Sequence, residues 1–84
     1  MNGYDITLRS ITPAQRAQGL LQKNGIPVRL QRTPRWMEAQ GCGYRLHLES
    51  PQLASALEIL NRHQIPYRKI YQYQADGSAR EVSP

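Results

Sequence analysis

The chain has 84 residues, 39% of them hydrophobic, which is enough for one domain with a modest core and excludes a multidomain protein. Its formal net charge of +5 arises mainly from arginine, which suits an anionic partner, although a basic surface with no specific ligand has the same composition. One cysteine excludes an internal disulfide, and without a membrane-length apolar run or a cleavable leader we expect a cytoplasmic protein with no membrane partner.

The first half of the chain is predicted to form a strand, a helix and a second strand. Residues 4–10 alternate apolar and polar side chains, which is typical of a half-buried strand. Thr12 and Pro13 are typical of a helix start, and Asn24-Gly25 of a helix stop. Residues 26–31 alternate again and predict the second strand. The residues expected on the apolar face of the helix are Ala14, Ala17, Leu20 and Leu21.

The second half of the chain repeats this order. Residues 44–50 match residues 4–10 position for position, and Ile65-Pro66 corresponds to Ile26-Pro27. The helix between the two strands has an apolar face formed by Leu53, Ala56, Leu57 and Leu60. Two copies of strand-helix-strand predict an α+β protein with a ferredoxin-like βαββαβ fold, in which two helices cover one face of a four-stranded antiparallel sheet. A pair of βαβ units that completes a larger sheet with another subunit is the alternative.

The repeat also predicts the domain organisation. We expect a single ferredoxin-like domain over residues 1–73, with repeats at 4–32 and 44–73 joined by the loop 33–43. Residues 74–84 show no apolar periodicity, so we predict a flexible C-terminal tail.

The sheet face away from the helices should carry the outward residues of the strands: Asp5, Thr7, Arg9, Arg29, Gln31, Arg45, His47, Glu49, Arg68, Ile70 and Gln72. RNA-recognition modules of this topology stack bases on aromatic residues of the central strands. Tyr4 and Tyr44 fall on inward positions here, which disfavours nucleic acid as a partner. We instead predict that Arg29 and Arg45 bind a protein or anionic partner or a second copy of the chain. Trp36 is either a further anchor for a partner or a cover over the core.

The loop 33–43 has no counterpart in the repeat and contains the only cysteine. Gly41 and Gly43 flank Cys42 and would leave its thiol open to approach. Arg35, at the other end of the loop, is placed to stabilise a thiolate, as nearby positive charge does. A small buried thiol without reactivity is the alternative, because free cysteines are usually buried.

The residues that accompany the thiol limit its chemistry. The sequence places neither His47 nor His63 beside Cys42, which argues against hydrolysis by a cysteine–histidine pair. These three residues also fall short of a zinc site, and no phosphate-binding glycine loop is present, so we predict no metal and no cofactor. One accessible thiol without other catalytic groups can carry a covalent group such as a sulfane sulfur. We therefore expect a carrier or binding protein rather than a turnover enzyme.

The order and spacing of several short motifs resemble a bacterial family of small selenium/sulfur carrier-like proteins. The resemblance covers about residues 4 to 73, and departs from the family in the approach to the Cys-Gly pair, residues 36–41. It implies that Cys42 accepts sulfur or selenium as a persulfide-type adduct from a protein donor and passes it to a protein acceptor, with Arg35 favouring the thiolate. The motifs are Ile26-Pro27-Val28, Thr33-Pro34-Arg35, Cys42-Gly43-Tyr44-Arg45-Leu46 and the terminal Ile70-Tyr71.

Overall fold

A computed structural model describes residues 3–34 and 43–82 of the chain. In chain order the elements are β1 (Gly3–Leu8), α1 (Ile11–Lys23), β2 (Arg29–Arg32), β3 (Tyr44–Glu49), a 3-10 turn (Ser50–Gln52), α2 (Leu53–Arg62), β4 (Ile70–Tyr73) and β5 (Ala79–Val82). The strands form one antiparallel sheet in the order β2-β3-β1-β4-β5. The fold class is therefore α+β, as predicted. Neither of these two helices is long and apolar enough to cross a membrane.

The prediction of four strands is wrong, because a fifth strand lies within the segment predicted as a flexible tail. β5 pairs with β4 from Ile70↔Val82 to Tyr73↔Ala79. The turn between them contains Gly77, whose φ of 90° favours glycine. β5 is an edge strand whose Val82 packs against the core, so it adds little apolar periodicity to the sequence. The ferredoxin-like description fits the element order through β4 and does not include β5.

The two matching halves of the sequence meet at the centre of the sheet. β1 and β3, the first strands of the two repeats, pair with each other over their full length. Ile6 lies directly opposite Leu46, its equivalent in the other repeat, and on either side Tyr4 faces Leu48 and Leu8 faces Tyr44. The repeat seen in the sequence therefore corresponds to two similar units that share one continuous sheet.

Both helices end in the same way, which extends the repeat to the backbone. After α1, Gly25 has a φ of 80°, and after α2 the equivalent residue Gln64 has a φ of 57°. The following amides, of Ile26 and Ile65, each donate to a carbonyl of the last helical turn at 2.9 Å. This is the usual geometry of a left-handed helix stop, and it confirms the stop predicted at Asn24-Gly25.

The two helices lie on one face of the sheet. α1 packs against α2 and also against β1, β2 and β3, so both helices share the same side. The predicted apolar residues that are buried there are Ala14, Ala17 and Leu21 of α1 and Ala56, Leu57 and Leu60 of α2. They join the inward residues of the central strands in one hydrophobic cluster. The opposite side, called the open face below, is covered by none of the described elements.

The side chains of β4 face the opposite way from the prediction. Ile70, predicted on the open face, is 1% exposed in the hydrophobic core, and Gln72 shares its side of the strand. Tyr71 and Tyr73 are consequently on the open face. The prediction counted the alternation from residues 65–69, but these precede the strand and do not continue its pleat.

Candidate functional site

A buried carboxylate lies at the centre of the open face. Asp5 is in the middle of β1, and its side chain is covered by residues from the strands on both sides. His47 of β3 lies directly opposite it, Arg45 reaches it from the same strand, and Tyr73 reaches it from β4. We call these four residues the Asp5 cluster. They place an acid, a base, a cation and a phenol at one point of the sheet.

The donors of the Asp5 cluster converge on its one carboxylate. His47 Nδ1 is 2.7 Å from Asp5 Oδ1, while the Tyr73 hydroxyl donates to Oδ2 at 2.7 Å and Arg45 Nη1 donates to the same oxygen at 3.1 Å. An ionised carboxylate only accepts, so the Nδ1 of His47 is assigned the proton. The other ring nitrogen, Nε2, is then the outward one, 3.9 Å from a Glu49 carboxylate oxygen.

Compared with apolar residues of similar volume, such a cluster adds little to stability, although removing one of its members is costly. Removing a carboxylate from water costs several kcal/mol, and the ion pair with Arg45 and the further hydrogen bonds to Asp5 offset that cost. Apolar residues of similar volume would stabilise the sheet equally well or better. What the cluster does provide is a fixed orientation of the His47 ring and the Arg45 guanidinium, which is a property of binding sites.

The phenol of Tyr73 is held in its protonated form. Burial is the main cause that raises its pKa from 10.0 to about 12, and the hydrogen bond to Asp5 and that residue's negative charge act in the same direction. Arg45 opposes the shift. The hydroxyl therefore keeps donating to Asp5 throughout neutral and mildly alkaline pH.

We expect the substitution Tyr73→Phe to remove the tyrosine ionisation that occurs at the highest pH. Because the pKa in the folded state exceeds the ordinary value, the protonated phenol stabilises the fold below pH 10.0, and this contribution is lost as the pH rises towards about 12. Phenolate absorbance during an alkaline titration measures the ionisation, and Tyr67→Phe is the matched control. Identical final titration steps in the wild type and Tyr73→Phe would contradict the burial and hydrogen bonding described for Tyr73.

Gly3 provides the space that the His47 ring occupies. A Cβ atom at Gly3 would lie 2.7 Å from Cε1 and 3.0 Å from Nε2 of that ring, closer than side chains normally approach. The ring also meets the Tyr73 ring edge to face, with centroids 5.8 Å apart. The sequence interpretation assigned no role to Gly3 or Tyr73. No local pattern indicates the contact between Gly3 and His47, because the two residues are 44 positions apart in the sequence.

An open pocket of about 210 Å³ lies over the Asp5 cluster. β2 supplies its remaining wall through Arg29 and Gln31, which lie opposite His47 and Arg45 in the sheet. Arg29 is exposed and forms no ion pair with the residues that the structure describes. The two arginines predicted to bind a partner, Arg29 and Arg45, therefore line one pocket.

The arrangement does not provide a metal site. The Asp5 oxygens already accept hydrogen bonds from His47, Tyr73 and Arg45, which leaves its carboxylate poorly available as a ligand. Within residues 3–34 and 43–82, no group of three or more His, Cys, Asp or Glu side chains is placed to hold a metal ion. The chemistry that the cluster offers is hydrogen bonding, positive charge and proton exchange.

Most of the residues predicted in the loop 33–43 lie outside the described residues: Arg35, Trp36, Gly41 and Cys42. Their assigned roles stay predictions. Gly43 is described and is buried, and its carbonyl accepts a hydrogen bond from the Thr33 amide at 3.0 Å. This bond continues the pairing of Arg32 with Tyr44 by one step, so Gly43 belongs to the base of the β2–β3 hairpin.

Comparison with known proteins identifies a match to a family model. The family model described as "putative Se/S carrier protein-like" matches residues 3–72. None of the curated proteins and none of the solved structures compared with the chain matches it. The matched residues extend from the first residue of β1 to the third of β4, and they include the first repeat, the loop 33–43 and all but the last residue of the second repeat.

Proposed function

The chain belongs to the Se/S carrier-like family, and from this premise we propose that it carries sulfur or selenium bound covalently to the thiol of Cys42. The family match is the observation that carries the proposal, since it spans the first repeat and all but the last residue of the second. Cys42 is the only cysteine of the chain, so a carrier that uses a thiol has no other residue for it.

The place of Cys42 in the sequence supports this role. It directly precedes Gly43, whose carbonyl is tied to the Thr33 amide at 3.0 Å. Arg35 follows Thr33 by two residues. Along the chain, Arg35 and Cys42 are therefore both within two positions of this hydrogen-bonded pair. In our proposal the arginine charge favours the thiolate, and Gly41 and Gly43 leave room for a donor to approach.

The proposed transfer needs no cofactor and no external oxidant. The Cys42 thiolate attacks the outer sulfur of a donor protein's persulfide, and a bond forms between that sulfur and Cys42 Sγ. The sulfur–sulfur bond of the donor breaks, and the donor leaves as a thiolate. The outer sulfur keeps its proton, so the products are a Cys42 persulfide and the donor thiolate. Attack by an acceptor thiolate on the outer sulfur regenerates the Cys42 thiolate in the same way.

Sulfur loading tests the proposal. We expect the wild-type protein to gain the mass of one sulfur atom when it is incubated with a cysteine desulfurase and L-cysteine, whereas Cys42→Ser gains none because it lacks the nucleophile. Intact mass spectrometry measures both proteins, and a folded Cys42→Ser sample, checked by circular dichroism, is the control. A wild-type protein that stays unmodified while the desulfurase turns over would exclude the carrier role.

A non-enzymatic interaction module is the second candidate. The observation that favours it is the pocket shared by Arg29 and Arg45. In this case Cys42→Ser would leave partner binding intact, and reversal of charge at Arg29 would abolish it. Arg29 is the cleaner position to change, because Arg45 also holds the buried Asp5 carboxylate.

A further inference from the structure

We propose that the pocket over the Asp5 cluster is a binding site for a small oxyanion, with Arg29 as its principal cation. The site uses only described residues of the open face and none of the loop 33–43, so it is independent of the carrier role of Cys42. The class of ligand meant is a single tetrahedral oxyanion or carboxylate group, either free or at the end of a small molecule.

The charged groups that the pocket presents are mainly cationic. Its only acidic lining residue is Asp5, which is fully buried, accepts three hydrogen bonds and is paired with Arg45. The other lining side chains include the guanidinium groups of Arg29 and Arg45 and the amide of Gln31. Guanidinium groups bind carboxylate and phosphate groups in preference to other partners.

The two guanidinium groups keep donors that no described residue of the protein accepts. Arg29 is exposed and has no ion-pair partner among the described residues. Arg45 makes both of its hydrogen bonds, to Asp5 and to Tyr73, through Nη1, and its Nε is buried without a partner within the described part of the chain. An anion beside Arg29 would supply the counter-ion that this residue lacks among the described residues.

The dimensions of the pocket limit what it can hold. About 210 Å³ is below the volume of roughly 300–1,000 Å³ that is typical of sites for drug-sized ligands. A single phosphate, sulfate or carboxylate group fits this volume. Glu49 lies 3.9 Å from Nε2 of His47 and lines a neighbouring pocket, which Arg29 and His47 also line. Its negative charge repels anions there, so an anion is favoured on the side of the His47 ring that faces Arg45.

Anion titration tests the site directly. Sodium phosphate, sodium sulfate and sodium acetate are titrated into the protein at constant ionic strength set with sodium chloride, and amide shifts are followed by nuclear magnetic resonance. We expect saturable shifts at Arg29, Gln31, Arg45 and His47 with at least one of the three anions. The anion that binds most tightly assigns the ligand as tetrahedral oxyanion or carboxylate.

Arg29→Gln should weaken the binding of that anion by about tenfold, because it removes the principal charge-assisted contact. Arg62→Gln, an equal loss of charge at an exposed site on α2, should leave the affinity unchanged. Cys42→Ser should also bind as the wild type does, which separates this site from the carrier thiol. The proposal is wrong if none of the three anions produces saturable shifts, or if Arg29→Gln and Arg62→Gln weaken binding equally.

Discussion

Asp5→Ala is expected to lower the free energy of unfolding by about 3 kcal/mol. The substitution leaves the Arg45 charge without its counter-ion and removes the acceptor for His47 and Tyr73. Breaking a buried ion pair typically costs about 3–5 kcal/mol. We expect the lower end, because the side chains of Arg45 and His47 are 21% and 28% exposed and water reaches their outer atoms. Urea-induced unfolding at neutral pH measures the change.

Glu58→Ala is the matched control for Asp5→Ala. Glu58 also forms an ion pair with an arginine, Arg62 at 3.6 Å, but the Glu58 side chain is 71% exposed. Exposed pairs of this kind are worth about 0–1 kcal/mol, so the control should change the free energy of unfolding by less than about 1 kcal/mol. Equal effects of the two substitutions would mean that Asp5 is not the buried centre of the open face.

Leu46→Ala is expected to cost about 2–5 kcal/mol of unfolding free energy. Leu46 is fully buried in β3, where it lies between Ile6 and Leu30 on the helix-covered side of the sheet. The loss combines the burial of the removed atoms with the cavity that they leave. Urea unfolding again measures the change, and the alkaline titration of Tyr73 should be unaffected because Leu46 lies on the opposite face.

Ile11→Ala provides the comparison for Leu46→Ala. Ile11, at the start of α1, is 37% exposed, so less apolar surface returns to water and a smaller loss follows. Equal losses for the two substitutions would contradict the described core.

Much of the fold could be predicted because the sequence repeats itself. Two segments with the same alternation, each followed by a helix with an apolar stripe, indicated two βαβ units without any tertiary information. The pairing of Ile6 with Leu46 agrees with that repeat, and so does the shared helix stop at Gly25 and Gln64. The alternation and the apolar stripe occur twice because each strand and each helix buries one side in the same core.

The last two strands could not be predicted in the same way. β4 begins at Ile70, after five residues that look like a strand in the sequence, and this difference reversed the side on which Tyr71 and Tyr73 lie. β5 has one side chain, Val82, packed on the core, so its pairing depends on backbone hydrogen bonds to β4 rather than on an apolar pattern. Backbone pairing of this kind requires no alternation of apolar and polar residues, so the sequence does not reveal it.

The Asp5 cluster shows a similar limit for the site. Alternation correctly put Asp5 and His47 on the side away from the helices, but it did not indicate that Asp5 would be buried there. Asp5 is buried because the side chains of Tyr73 from β4 and Arg45 from β3 cover it and donate hydrogen bonds to its carboxylate. These contacts join residues up to 68 positions apart, and no local pattern encodes them. The loop with Cys42, in contrast, was identified from the sequence, because it has no counterpart in the repeat and contains the only cysteine.

The most direct test of the carrier role is peptide mass spectrometry of the sulfur-loaded protein, before and after an excess of a small thiol acceptor is added. Our account predicts one extra sulfur on the peptide that contains Cys42, and its loss to the acceptor with return of the free thiol. A peptide that carries no extra sulfur after loading, or a sulfur that the acceptor cannot remove, would contradict the account.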